Sequence, residues 1–147
     1  MYHVKIASNQ QQLNSILQLR YEVLRKPWSM TIGSATDLLE QKSINAFIQN
    51  NEGIVIACGR LQENENKIGQ IRFMAVDKNY QGKGLGKLII TSLELKAKEL
   101  QLNKIQLQAR ENAVSFYKNN GYVMIEKTFL LWDQIQHFLM EKQIDLF

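Results

Sequence analysis

The sequence predicts an α+β fold, sandwich-like in its layering, built on a mixed and mostly antiparallel sheet. Three observations predict it. Apolar runs at residues 44–48, 54–61 and 67–76 are separated only by the polar turns Asn50-Asn51-Glu52-Gly53 and Glu63-Asn64-Glu65-Asn66, the pattern of an antiparallel meander. The third run leads through Gln81-Gly82-Lys83-Gly84-Leu85-Gly86 into a helical pattern ending near residue 100. The short strand beyond that helix, at 105–108, must then lie parallel to its predecessor, because a helical crossover returns the chain in the same direction. Two last runs, 122–125 and 137–141, face each other across Trp132-Asp133 as a hairpin.

Taken in order, residues 2–6 alternate enough for a first strand. Ser8 and Gln11 stand three apart, a capping-box spacing, and Leu13, Ile16, Leu17, Arg20, Val23 and Leu24 follow at helical intervals until Pro27. Residues 28–41 contain Gly33, Ser34 and Thr36 and little periodicity, so they read as a loop with one short turn around 37–40. A segment of that length in a compact chain usually covers a site. The helix from Gly84 to Leu100 puts Leu85, Leu88, Ile89, Leu93 and Leu100 on one face, with Glu94 and Lys98 as an outward i,i+4 pair. Asn112 is placed as a helix N-cap, Ala113, Phe116 and Tyr117 point inward, and Gly121 stops that helix. The element order is βα(loop)βββαβαββ.

With 147 residues the chain is expected to form one domain, 1–147. Its 45% hydrophobic and 22% charged content are ordinary for a globular protein. No apolar run reaches the ~18–20 residues of a membrane span, and the N-terminus is not a signal peptide, so a cytoplasmic protein is expected. Cys58 is the one cysteine and lies in an apolar run, where packing outranks reactivity. The net charge of +4 is spread along the chain without a basic block or zinc-finger spacing, which speaks against nucleic acid as a partner. No metal-ligand pattern is present. A modest positive balance suits an enzyme whose cofactor carries phosphates.

The glycine stretch carries the chemistry. Glycines admit positive φ and a close backbone approach, and the start of a helix offers unpaired N–H groups to an anion. A P-loop requires four residues between its glycines and then Gly-Lys-Ser/Thr, which is missing. A dinucleotide fingerprint requires G-x-G-x-x-G and an acid on the next strand, and neither occurs. What remains is Gln81-x-x-Gly84-x-Gly86, which resembles the acetyl-coenzyme A pyrophosphate loop of the GCN5-related N-acetyltransferase (GNAT) family. Ala109-Arg110-Glu111-Asn112-Ala113-Val114-Ser115-Phe116-Tyr117-Lys118-Asn119-Asn120-Gly121-Tyr122 resembles the second signature of that family, in the right order and at a fitting distance; with the shared succession of elements the resemblance covers nearly the whole chain.

The resemblance implies the GNAT acyl-coenzyme A N-acyltransferase fold, with a central splay between strands 4 and 5. It implies acetyl-coenzyme A as cofactor, its acyl arm against the backbone of Phe73, Met74, Ala75 and Val76 and against Asn112. Its pyrophosphate would lie on Gln81, Gly82, Lys83, Gly84, Leu85, Gly86 and Lys87. The acceptor would be a small-molecule amine or an exposed protein amino group, acetylated directly in a ternary complex. Tyr117 matches the family position that donates a proton to the leaving thiolate; the plainer reading is a packed core tyrosine. Homodimers are common in the family.

An amine like that of lysine has a pKa near ~10.4, so using its neutral form at pH 7 costs about 4–5 kcal/mol without a base. Relatives often carry a carboxylate on strand 4, but residues 67–74 hold none. His137 is the leading base candidate, in a His137-Phe138-Leu139-Met140 ending similar to a small bacterial branch of the family, against the alternative of a hydrogen-bonded structural histidine. Glu111, Glu40, Glu22 and a water chain are the other candidates. Arg72, Trp28 and Glu40, with Asp37, are placed at the acceptor, Arg72 as a partner for a substrate carboxylate or else a surface charge. Tyr21, Phe129 and Trp132 are further aromatic candidates there, and Arg20, Arg25 and Pro27 cluster near the entrance. A catalytically silent acyl-coenzyme A sensor of the same fold is the competing reading.

Overall fold

A computed structural model describes residues 1–144. Strands β1 (Lys5–Ile6), β2 (Ile44–Gln49), β3 (Val55–Glu63), β4 (Ile68–Val76), β5 (Lys104–Arg110), β6 (Val123–Leu131) and β7 (Ile135–Gln143) form one sheet in the order β1-β2-β3-β4-β5-β7-β6. Helix α1 (Gln10–Arg20) follows β1, α2 (Leu85–Glu99) joins β4 to β5, and α3 (Val114–Asn119) follows β5. β4 and β5 pair in parallel across α2 and every other pairing is antiparallel, as the crossover required.

The sheet divides the apolar interior into two clusters. On one face Leu85, Ile89, Ile90, Leu93 and Ala97 of α2 pack on Ala46, Ile48, Ile56, Ile71, Ile105 and Leu107. On the other, Ile16 and Leu19 of α1 meet Phe47, Val55, Cys58 and Ala75. Alternate residues of β2 thus serve opposite helices, and β3 is buried along most of its length. Burial of a Leu- or Ile-sized side chain stabilises by roughly 1.5–3 kcal/mol, so α2, with five buried apolar positions, anchors the fold. No helix among the described residues is long and apolar enough to cross a membrane.

Several element boundaries differ from the sequence reading. The cap of α1 is Asn9 rather than Ser8: Asn9 Oδ1 accepts from the Gln12 amide at 2.8 Å, and Gln12 Oε1 accepts from the Ser8 amide at 2.6 Å. The pattern is that of a capping box shifted by one residue, except that Gln12 reaches back to the amide of Ser8 and not to that of the cap itself. Pro27 does not terminate this helix. The chain loosens into a π-helical turn at Tyr21–Arg25, tightens into a 3₁₀ turn at Lys26–Trp28, and leaves at Ser29 with φ +58°. Pro27 is tolerated because the first turn needs no N–H there. The cover segment holds two short 3₁₀ turns, Ile32–Ala35 and Glu40–Lys42.

Leu88 and Leu100 are exposed, and Ile90 and Ala97 take the buried positions expected of them. Asn112 does not cap α3. It lies inside a 3₁₀ turn, Glu111–Ala113, and α3 has no side-chain cap. β6 runs past its expected end at residue 125 to Leu131: on this edge strand the exposed Glu126 and Lys127 interrupt the apolar pattern, and the pairing with β7 shifts register at Met124/Glu126 and again at Lys127/Leu130, which hides the strand in the sequence.

Candidate active site

β4 and β5 are paired from Ile68↔Lys104 to Ile71↔Leu107, and there the ladder stops. Beyond it β4 follows β3 and β5 follows β7, so the two strands separate into a V. A bulge steers β4 away: Arg60↔Arg72 and Cys58↔Ala75 are partners, leaving Phe73 and Met74 opposite Gly59 alone. Phe73 takes φ +56°, a costly conformation for an aromatic residue, at the point where the backbone turns out of the ladder. Opposite the bulge, Gly59 makes room for side chains, since a Cβ there would lie 2.5 Å from Met74 Sδ and 2.7 Å from Ile89 Cγ2.

The V opens into a cavity of about 1050 Å³ that runs from the glycine loop, between Arg72–Val76 and Gln108–Asn112, to the β6–β7 hairpin. Gly82 and Gly84 both have φ +79° with nothing within 4 Å of an added Cβ, so glycine is needed there for backbone conformation. Gly84 begins α2 with no side-chain cap, which leaves the amides of Leu85, Gly86 and Lys87 without helix partners and facing the loop. Gln81 Nε2 donates to Val76 O at 3.2 Å and ties the loop to the end of β4. A concavity of free N–H groups with Lys87 among its lining residues has the chemistry to accept an anion such as phosphate. Gly86 is needed for packing instead, because a Cβ there would meet the Phe116 ring at 2.9 Å; its absence seats α3 against α2. Lys83 is not among the lining residues.

Tyr117 is buried on the α3 side, edge-on to Phe116 and Tyr122, and its hydroxyl makes no hydrogen bond among the described residues while its ring lines the cavity. Burial pushes its phenol pKa up, against a smaller opposing effect of Arg110. The Asn112 side chain, freed from the expected cap, also lines the cavity without a hydrogen bond among the described residues. Cys58 is fully buried, its thiol pushed up to about 11, and takes no part.

At the far end His137 stacks on Phe129 with centroids 4.4 Å apart. His137 Nδ1 lies 3.0 Å from Ile135 O; a carbonyl only accepts, so Nδ1 carries the hydrogen and the neutral ring has its lone pair on Nε2. Burial lowers the imidazole pKa, and the charges of Arg110 and Arg25 act the same way against the Ile135 carbonyl. Trp28 and Trp132 approach to 6.4 Å over this end, one from the turn after α1 and one from the hairpin turn, where Trp132 has φ +53°.

Behind β4 lies a network of charge that no single motif announced. Arg20 and Arg60 are fully buried, and the guanidinium carbons of Arg20, Arg25, Arg60 and Arg72 stand 4.5, 5.7, 4.9 and 4.6 Å from the Phe73 ring centre. Asp37 takes Arg60 in a bidentate pair at 2.9 and 2.9 Å and Arg72 at 2.7 Å. Arg60's hydrogen bonds hold the Asp37 carboxyl below its ordinary range. Glu40 accepts from Arg20, Thr36 and Asn45; burial raises its pKa, and those donors outweigh the burial, leaving it lowered. Glu40 and Asp37 therefore pin the cover segment to α1, β2, β3 and β4. Glu40 is not among the cavity-lining residues, and Arg72 lines the cavity with its charge already partnered by Asp37. Glu22 and Glu111 are likewise not among the lining residues. Arg60 in the apolar run 54–61 is the legible sign of this network: a lone charge inside a buried strand demands a partner.

The chain matches the family model of the acetyltransferase (GNAT) domain over residues 19–144. It is 32% identical over 126 residues to the uncharacterized N-acetyltransferase YjcF of Bacillus subtilis, covering 85% of this chain and 89% of that one. It is 37% identical over 81 residues to the glucosamine 6-phosphate N-acetyltransferase of Candida albicans, 51% of this chain and 54% of that one. An acyl-coenzyme A N-acyltransferase from Pseudomonas aeruginosa superposes with a TM-score of 0.80 at 19% identity, covering 97% and 99% of the two chains.

Proposed function

This chain belongs to the GNAT acetyltransferase family, and on that premise we propose that it transfers acetyl from acetyl-coenzyme A directly to a primary amine, both being bound together. The acceptor is the amine of a small molecule or an exposed protein amino group. The observation that carries the reading is the continuous cavity passing through the β4/β5 opening, with a phosphate cradle at one end and a neutral histidine at the other. The residues fit the cofactor: two glycines held at positive φ and the uncapped start of α2 suit its pyrophosphate, and the bulged β4 edge suits its amide-bearing arm.

Bound acetyl-coenzyme A supplies a thioester whose C–S bond breaks, the electron pair leaving on sulfur, as the acceptor's C–N bond forms. The backbone of Phe73, Met74, Ala75 and Val76, left unpaired on the β5 side, binds and orients the arm together with the Asn112 amide. His137 Nε2 takes the proton released from the amine. A histidine pKa below ~6.5 leaves the ring neutral at pH 7 and ready to accept. Tyr117 steadies the departing sulfur as a hydrogen-bond donor. With its pKa raised above ~10 and a thiol near ~8.5, full transfer of the phenolic proton is uphill, so a hydrogen bond, not a proton, is what Tyr117 contributes.

Thiol release from acetyl-coenzyme A over a panel of primary amines tests the reading, with thermal stabilisation by coenzyme A measured alongside. Amine-dependent release is expected, and Tyr117→Phe should lower turnover about tenfold or more with little change in cofactor affinity. Stabilisation by coenzyme A with no release from any amine would leave only a cofactor-binding protein.

A further inference from the structure

The charged side chains that line the cavity are Arg25, Arg72, Lys87 and Arg110, and no carboxylate is among the lining residues. Lys87 belongs to the glycine loop, and Arg72 is held by Asp37, a carboxylate it shares with Arg60. Arg25 and Arg110 remain, with no carboxylate partner among the described residues. They come from opposite sides of the V, the end of the π-helical turn after α1 and the end of β5, yet both donate to one carbonyl oxygen. Arg25 Nη1 lies 3.2 Å and Arg110 Nη2 3.1 Å from Leu24 O. Arg25 Nε is held by Ser34 O at 3.2 Å. Two guanidiniums are thus fixed side by side, Arg25 only 9% exposed, both residues lining the cavity and each keeping N–H donors beyond those bonds.

Like charges held together away from water are costly unless an anion joins them. The cost is visible: burial, then Arg110, Arg72 and Arg20, bring the Arg25 guanidinium down to about 10. A structural arginine pair would be expected to carry an acid, as Arg20 and Arg60 do with Glu40 and Asp37. Arg25 also lies 5.3 Å over the Trp132 ring, and Arg110 is opposite His137 in the β5–β7 ladder, so the pair sits at the acceptor end of the cavity.

We propose that Arg25 and Arg110 form the binding site for an anionic group, a carboxylate or a phosphate, on the amine that this protein acetylates. The inference rests on the transferase reading for its meaning, though the anion site can be tested apart from it. The acceptor is an amino acid or an amino sugar phosphate in class, its anion on the arginine pair, its body against the Trp28–Trp132 wall, and its amine toward His137. The same positive field disfavours the ammonium form of the bound amine, which assists the neutral form that must attack.

Calorimetric titration into the protein saturated with coenzyme A compares matched probes: phenylalanine with phenethylamine for the carboxylate, glucosamine 6-phosphate with glucosamine for the phosphate. In one pair the anionic member should bind at least tenfold tighter, and that pair identifies the anion. Arg25→Gln and Arg110→Gln should each erase most of the preference while coenzyme A affinity stays within twofold, and Arg110→Lys should restore part of it. The inference is overturned by equal affinity within both pairs, or by no binding of either anionic probe. It is equally overturned if the preference survives both Gln variants, or if those variants lose coenzyme A instead. Arginine-dependent binding of the anionic probe without thiol release from any amine would keep the anion site and sink the transferase reading.

Discussion

His137 shows how much a neighbourhood decides about one side chain. A histidine near the C-terminal end of a sequence is an ambiguous sign, as ready to be structural as to be a base. Packed on Phe129, with Nδ1 on a carbonyl and two arginines nearby, it is held neutral with Nε2 left over. Because its pKa is lowered, the acid limb of kcat/KM should fall below pH 6.5, and His137→Gln should remove that limb with a loss of roughly 100-fold or more. An unchanged limb in the variant would assign it to another group. The same shift bears on stability. The folded ring resists protonation that the unfolded ring accepts, so as pH falls from about 6.5 toward the lower folded value, stability is lost. Arg72 is legible in the sequence as a pocket residue but not as a partnered one, because Asp37 lies 35 residues earlier and sequence distance says nothing of contact.

At the scale of elements, the bulge in β4 governs the site. Gly59, Phe73 and Met74 together bend the strand out of its ladder with β5. Nothing in the apolar run 67–76 reveals an irregularity, because a bulge changes register without changing composition. Gly59→Ala should therefore cost about 1–3 kcal/mol in chemical denaturation, by overpacking Met74 and Ile89. A loss under about 0.5 kcal/mol would mean that Met74 and Ile89 move aside freely. By contrast, the glycine loop is legible to the residue. Its φ +79° positions at Gly82 and Gly84 are local needs, read from local sequence. Gly86 belongs to the same motif for a non-local reason, its contact with Phe116. Asn112 has the sequence context of a cap, yet its true environment is a cavity wall supplied by other elements.

For the whole molecule, the order of elements followed from the sequence, whereas the attachment of the cover segment did not. Residues 29–43 are held less by apolar burial than by Asp37 and Glu40 on Arg60, Arg72 and Arg20. Both carboxyls have lowered pKa values in the fold, so their stabilisation is present above the ordinary range near ~4 and is lost as pH falls through the lower folded values. Asp37→Asn should cost about 2–3 kcal/mol at pH 7, somewhat under the usual cost of breaking a buried pair because Asp37 is 29% exposed. It should also flatten the loss of stability below pH 4. A variant as stable as the parent, with an unchanged acid transition, would assign the cover segment's attachment to other contacts. By itself the sequence determined the order of strands and helices, the glycine loop and the family, because periodicity, turns and motifs are properties of neighbours along the chain. Only the tertiary structure decided which arginines met a carboxylate and which were left as a pair. That distinction depends on carboxylates and carbonyls brought from far along the chain, and on the water they exclude.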